Sequence, residues 1–150
     1  MDELSMTQRA NRAATIGQCK SQLHDGKSLK IRVLSGSMAP AIMPNDLMKV
    51  VKCNHKKLAP GDLVLAISGD ELMPRRVISK EKTEDNQDNY VFTLKGDALK
   101  ETDPPSSNKS ILGKIIQLER NGRTIVFKKD NTFENQVGGL LQKLCFWKKE

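Results

Sequence analysis

The residues best placed to do chemistry lie in Ser35-Gly36-Ser37-Met38-Ala39-Pro40. A small serine-rich turn after a strand exposes a hydroxyl and aims backbone N–H groups at a nearby oxyanion. Taken alone, a Ser-Gly turn is usually just a turn. Other reactive types are scattered. Cys19, Cys53 and Cys145 form no Cys-x-x-Cys pair, and neither His24 nor His55 stands at zinc-ligand spacing from a cysteine. They read as reduced thiols, and neither a metal nor an organic cofactor is expected.

The serine turn heads an ordered series. Pro44-Asn45-Asp46-Leu47, Pro60-Gly61-Asp62-Leu63-Val64, Arg75-Arg76-Val77-Ile78 and Lys95-Gly96-Asp97-Ala98 follow it, then Asp103 and Gly113-Lys114-Ile115-Ile116. This series resembles the signal-peptidase-like and repressor-cleavage-like serine peptidases over roughly residues 27–120. It is most similar to the branch of the archaeal and endoplasmic-reticulum signal peptidases, where a Lys-Gly-Asp motif and a later aspartate follow the base. The resemblance implies a mostly β catalytic core, with Ser37 as the nucleophile on a peptide carbonyl. It implies that Ser35 supplies an oxyanion-stabilising hydroxyl beside the Ser37 N–H and that Met38 belongs to the substrate groove. It also implies that Asp97 and Asp103 orient or support the base, and that the Gly61-Asp62 and Gly113-Lys114 blocks are structural turns. Gly-Asp and Asp-Pro in loops have a plain alternative meaning as turn chemistry.

The chain departs from the family at the base. Where relatives carry a lysine or histidine before the Arg-Val pair, this sequence has Arg75. A serine hydroxyl needs a proton acceptor that is neutral part of the time. Bringing a lysine from about 10.4 to about 7 takes about 4 kcal/mol of environmental tuning. Arginine, with a pKa above roughly 12, needs far more. Arg75 therefore occupies the base position without acting as a base. Three accounts stay open. A register slip could bring another group in, although Arg76 fails likewise and Lys80 lies on the opposite strand face unless a bulge intervenes. Lys95 or His55 could serve from elsewhere. Or the fold is kept and ordinary peptidase activity is lost.

These residues need elements to hold them. Residues 2–24 contain no proline and end before Gly26, which predicts a helix, weakly amphipathic through Leu4, Ala10, Ala13 and Ile16. From residue 29 the period changes to two. Leu29, Ile31 and Val33 alternate with Lys30 and Arg32, and β-like runs follow at 47–51, 63–67, 76–78, 90–94, 112–118 and 124–127. Turn clusters separate them, including Asn86–Asn89 and Asn121-Gly122, the latter a hairpin signal. The reading is mainly β: a signal-peptidase-like curled antiparallel sheet or partial barrel with helical ends. Residues 1–26 form a helical segment, 27–130 the peptidase-like domain, and 131–150 a basic amphipathic tail. In that tail, Val137, Leu140, Leu141 and Leu144 precede Phe146-Trp147-Lys148-Lys149. It reads either as a terminal helix docked on the sheet or as a segment lying peripherally on anionic membrane, and Gly138-Gly139 weakens both.

Composition narrows the function classes. The 150 residues carry 25 Lys+Arg against 18 Asp+Glu, a formal charge of +7, with 37% hydrophobic residues. That suffices for one core. No stretch approaches the roughly 18 apolar residues of a membrane span, and the start Met1-Asp2-Glu3 lacks the basic and apolar character of a secretory signal. A cytoplasmic protein is expected. Its basic residues are dispersed, and one Trp, one Tyr and four Phe offer little base stacking, so no specific nucleic-acid partner is expected. Two functions remain in competition: a serine-type endopeptidase acting on a peptide bound as an extended strand, and a catalytically inactive module that binds a peptide or protein segment without cleaving it.

Overall fold

The computed structural model describes residues 6–85 and 87–127, with the backbone alone for residues 6–13. Helix α1 (Met6–His24) ends as Gly26 predicts. Gly26 takes φ +86°, its N–H bonds the Leu23 carbonyl at 2.9 Å, and the Lys27 N–H bonds that of Gln22 at 3.0 Å. This is a Schellman stop, which satisfies carbonyls that the helix cannot. Leu23 is buried and Cys19 packs beside it, while Ile16, one and two turns earlier, stays half-buried.

Eight strands follow: β1 (Leu29–Arg32), β2 (Leu47–Val51), β3 (Leu63–Ser68), β4 (Glu71–Lys82), β5 (Tyr90–Lys95), β6 (Ser106–Ser107), β7 (Ile111–Arg120) and β8 (Arg123–Val126). All pairings are antiparallel, in the order β1-β2-β7-β3-β4-β5-β6, with β8 also on β7. The described residues are mainly antiparallel β with one α-helix. The sheet is an open path, and the curled sheet or partial barrel expected from the sequence is not formed. Among the described residues no pairing joins the outer strands β1 and β6.

β3 explains why residues 63–66 are apolar without alternation. Leu63 and Leu65 enter one core with Met38, Ile42, Met48 and Leu118, while Val64 and Ala66 enter a second with Val77, Phe92 and Leu94. Buried on both faces, the strand needs apolar residues throughout. Asn121-Gly122 makes the expected hairpin, with φ +52° and +76° between the paired Arg120 and Arg123. Gly113 is not a turn residue; it lies within β7, where a Cβ would stand 2.7 Å from the Val51 carbonyl oxygen. β4 runs well beyond the expected 76–78, back to Glu71 and on to Lys82. Pro74 and the charged residues on both sides conceal it in the sequence. The 131–150 tail, residues 1–5, Asn86 and Cys145 lie outside the described residues. No described helix is long and apolar enough to cross a membrane.

Candidate functional site

Successive residues of a strand point to opposite faces, so Arg75 and Arg76 on β4 diverge and each meets its own aspartate. Arg75, 5% exposed, donates through Nε to Asp103 Oδ2 at 2.8 Å. Arg76 makes a two-pronged pair with Asp97, Nε to Oδ1 at 2.8 Å and Nη2 to Oδ2 at 2.7 Å, and also donates to the Gly61 carbonyl. Asp103 thus partners Arg75, whereas Asp97 pins the neighbouring arginine on the other face. Asp103 is itself held beside β5, its N–H bonding the Leu94 carbonyl at 2.8 Å.

The serine turn comes from the chain that leaves β1. Arg75 Nη1 donates to Ser37 Oγ at 3.0 Å and to the Pro74 carbonyl at 2.9 Å, and among the described residues Nη2 meets the Met73 thioether at 3.6 Å. Ser35 Oγ lies 3.3 Å from Ser37 Oγ and 3.5 Å from the Ser37 N–H. Ser37 is half-buried and Ser35 exposed. Carboxylate, cation and hydroxyl therefore stand in series from Asp103 through Arg75 to Ser37. Met38 does not line a groove: it is 0% exposed, in the core, with its sulfur accepting the Asp97 N–H at 3.3 Å. It anchors the turn from beneath. On the same side Ala98 donates its N–H to the Ser37 carbonyl at 2.9 Å, and a Cβ on Gly96 would come within 2.7 Å of that oxygen. Glycine is required there by close approach.

The alternative bases are all engaged elsewhere. A bulge between Val77 and Ser79 brings Lys80 onto the face of Arg75 and opposite Phe92. Its Nζ nevertheless bonds the carbonyls of Lys56 and Leu58 at 2.6 and 2.9 Å and sits 4.3 Å over the Tyr90 ring. Lys95 donates to the Gly96 carbonyl at 3.3 Å. His55 Nε2 faces the Ile111 carbonyl at 3.3 Å, so that nitrogen carries its proton and cannot take one from Cys53 Sγ, 3.8 Å away. Burial pushes the Cys53 thiol up to about 11, which makes it a poor nucleophile. Among the described residues, the side-chain partners of the Ser37 hydroxyl are Ser35 and Arg75.

A groove of about 490 Å³ reaches as far as Ser35 but is lined by neither Ser37 nor Arg75; Ile31, Val33 and Leu34 form one side and Leu72, Met73 and Pro74 the other, with Asp70 and Glu71 beside them. Helix α1 adds Thr15 and Ile16. Among the described residues, β1 is hydrogen-bonded to β2 alone, and β5 joins β4 only from Arg76 onward, so Leu72–Arg75 has a described strand on one edge. Leu34, next to Ser35, is 86% exposed. Sequence reading missed Leu72, Met73 and Pro74 as groove residues, although their closeness to Arg75 was a usable signal. Among the described residues no cluster of His, Cys, Asp and Glu could hold a metal ion. No protein-family model matches this chain, and a search of curated proteins returns no match.

Proposed function

We propose that this protein is a signal-peptidase-like serine-peptidase scaffold that holds an extended peptide segment against Ser37 without cutting it. The observation that carries the reading is the 3.0 Å contact from Arg75 Nη1 to Ser37 Oγ. At the position where a peptidase needs a proton acceptor, this chain offers a donor that does not lose its proton. The groove supports the peptide part of the reading, because the Leu72–Arg75 edge of β4 and the outer edge of β1 present main-chain groups to an added strand.

A second reading, a slow serine endopeptidase, draws support from Asp103, which is retained where it would orient a base. One experiment separates the two. Arg75→His would put an imidazole between Asp103 and Ser37, and quenched-fluorescent peptide libraries should then be hydrolysed by Arg75→His but not by Arg75→His with Ser37→Ala. The unaltered protein should bind peptides and leave them intact. Turnover by the unaltered protein that Ser37→Ala abolishes would favour the endopeptidase, and failure of any peptide to bind would remove both readings.

A further inference from the structure

The two strand edges that border the groove are unequal. Successive residues of a strand turn their main-chain groups to opposite sides. On the β1 side, Val33 faces β2: its N–H bonds the Asp46 carbonyl at 2.9 Å, and its carbonyl accepts the Asn45 N–H at 2.8 Å. Lys30, Arg32 and Leu34 therefore turn their N–H and C=O groups away from β2, to the side where no described strand pairs. Leu34 also has the most exposed of the large apolar side chains described, at 86%.

β4 is different. Val77 faces β3, its N–H bonding the Asp62 carbonyl at 2.9 Å and its carbonyl accepting the Gly61 N–H at 2.8 Å. The β3–β4 register runs without a shift from Leu63↔Arg76 to Ser68↔Glu71, so Arg75 and Met73 also face β3, while Arg76, Pro74 and Leu72 face away. Arg76 pairs with Lys95 of β5. Pro74 has no N–H to offer, and its carbonyl accepts Arg75 Nη1 at 2.9 Å. It is buried and lines the groove. On this stretch Leu72 alone turns both an N–H and an uncapped carbonyl outward. Proline on an exposed edge is a known guard against an added strand.

We propose that Pro74, its carbonyl capped by Arg75, interrupts the β4 edge, so that the groove holds an extended peptide through the outward main-chain groups of Lys30, Arg32 and Leu34 alone. The inference rests on the peptide-binding reading above and fixes which ladder carries it. Pro74 becomes the residue that decides how a peptide is held, and Arg75 gains a role apart from Ser37. The occupant this selects is an extended segment bonded along one side, able to carry proline wherever its main chain faces β4. The lining holds Arg32 together with Asp70 and Glu71, so the main chain, and not a ligand charge, is what the groove recognises.

The probe is the tightest binder from a library of N-acetylated, C-amidated hexapeptides of Ala, Val, Leu, Thr and Lys, chosen with the full chain. Each amide of that peptide is replaced in turn by an ester, which deletes one N–H without adding bulk, and affinity is read by isothermal titration. The replacements should weaken binding about two- to ten-fold at alternate residues and leave it unchanged at the residues between. Pro74→Ala, which adds an N–H on the β4 edge, should bind the unmodified peptide about two- to ten-fold tighter. Losses at consecutive residues would overturn the one-sided ladder, and losses at none would overturn strand addition while leaving peptide binding in place. Alternation without a gain in Pro74→Ala would overturn Pro74 as the interrupting residue. Absence of any binder would remove the peptide reading itself and this proposal with it. The ester series needs no variant, so it decides even if Pro74→Ala fails to fold.

Discussion

Asp103 grips Arg75 by Nε at 2.8 Å, and that grip settles which edge of the guanidinium turns toward Ser37. With Nε held and Nη1 also tied to the Pro74 carbonyl, the contact to Ser37 Oγ is made by a side chain with little rotamer freedom left. A buried cation fixed this way is costly to disturb, because removing one partner leaves an uncompensated charge.

Asp103→Ala should lower stability by about 1–3 kcal/mol, the range for leaving a buried donor unsatisfied, with the low end favoured by the partial exposure of Asp103. Urea unfolding monitored by circular dichroism checks this. A change within about 0.3 kcal/mol would mean that the pair is not held as described.

Gly96→Ala should destabilise the protein and weaken peptide binding together. The new methyl would lie 2.7 Å from the Ser37 carbonyl oxygen and 2.9 Å from Leu99 Cδ1, and Leu99 can turn aside where the backbone oxygen cannot. Overpacking of this kind costs about 1–3 kcal/mol. The informative readout is the double effect: stability lost with binding intact would show that the serine turn is not positioned through Gly96.

Acid should unfold the protein partly through Asp46. Burial alone would raise its carboxyl pKa, but two hydrogen bonds from Arg120, at 2.8 and 2.7 Å, and one from the Met43 N–H outweigh it and hold the carboxyl below the usual carboxylate range. A group depressed in the folded state contributes its stability above the unfolded value of about 3.9 and loses it as pH falls through the folded value. Midpoints of urea unfolding should therefore drop steeply below about pH 4. Asp46→Asn should start lower at pH 7 and show a shallower acid limb, and an identical limb would assign the titration to other carboxylates.

Leu65→Ala should cost about 2–5 kcal/mol, because the side chain is fully enclosed in the core on which the serine turn is seated. Thermal unfolding measures it. Loss well below that range would mean that the core collapses around the missing atoms.

Much of the local architecture was legible because its causes are local. The helix stop at Gly26, the Asn121-Gly122 hairpin and the alternation in β1 each follow from a few neighbouring residues. β4 was only glimpsed, because Pro74, the adjacent arginines and the bulge at Ile78 break its period of two. The bulge, the exception the sequence reading left open, puts Lys80 on the Arg75 face, yet Lys80 spends its donors on two carbonyls instead of on Ser37. The resemblance implied that Met38 belongs to a substrate groove, whereas burial makes it an anchor.

The sequence by itself determined that this chain is mainly β and that Ser37 sits on a tight small-residue turn. Only the tertiary structure decided which aspartate serves which arginine and that Arg75 donates to Ser37. The physical reason is reach: Ser37, Arg75 and Asp103 come from separate segments, 38 and 28 positions apart. Their meeting depends on strand register, in which a one-residue slip sends a side chain to the opposite face.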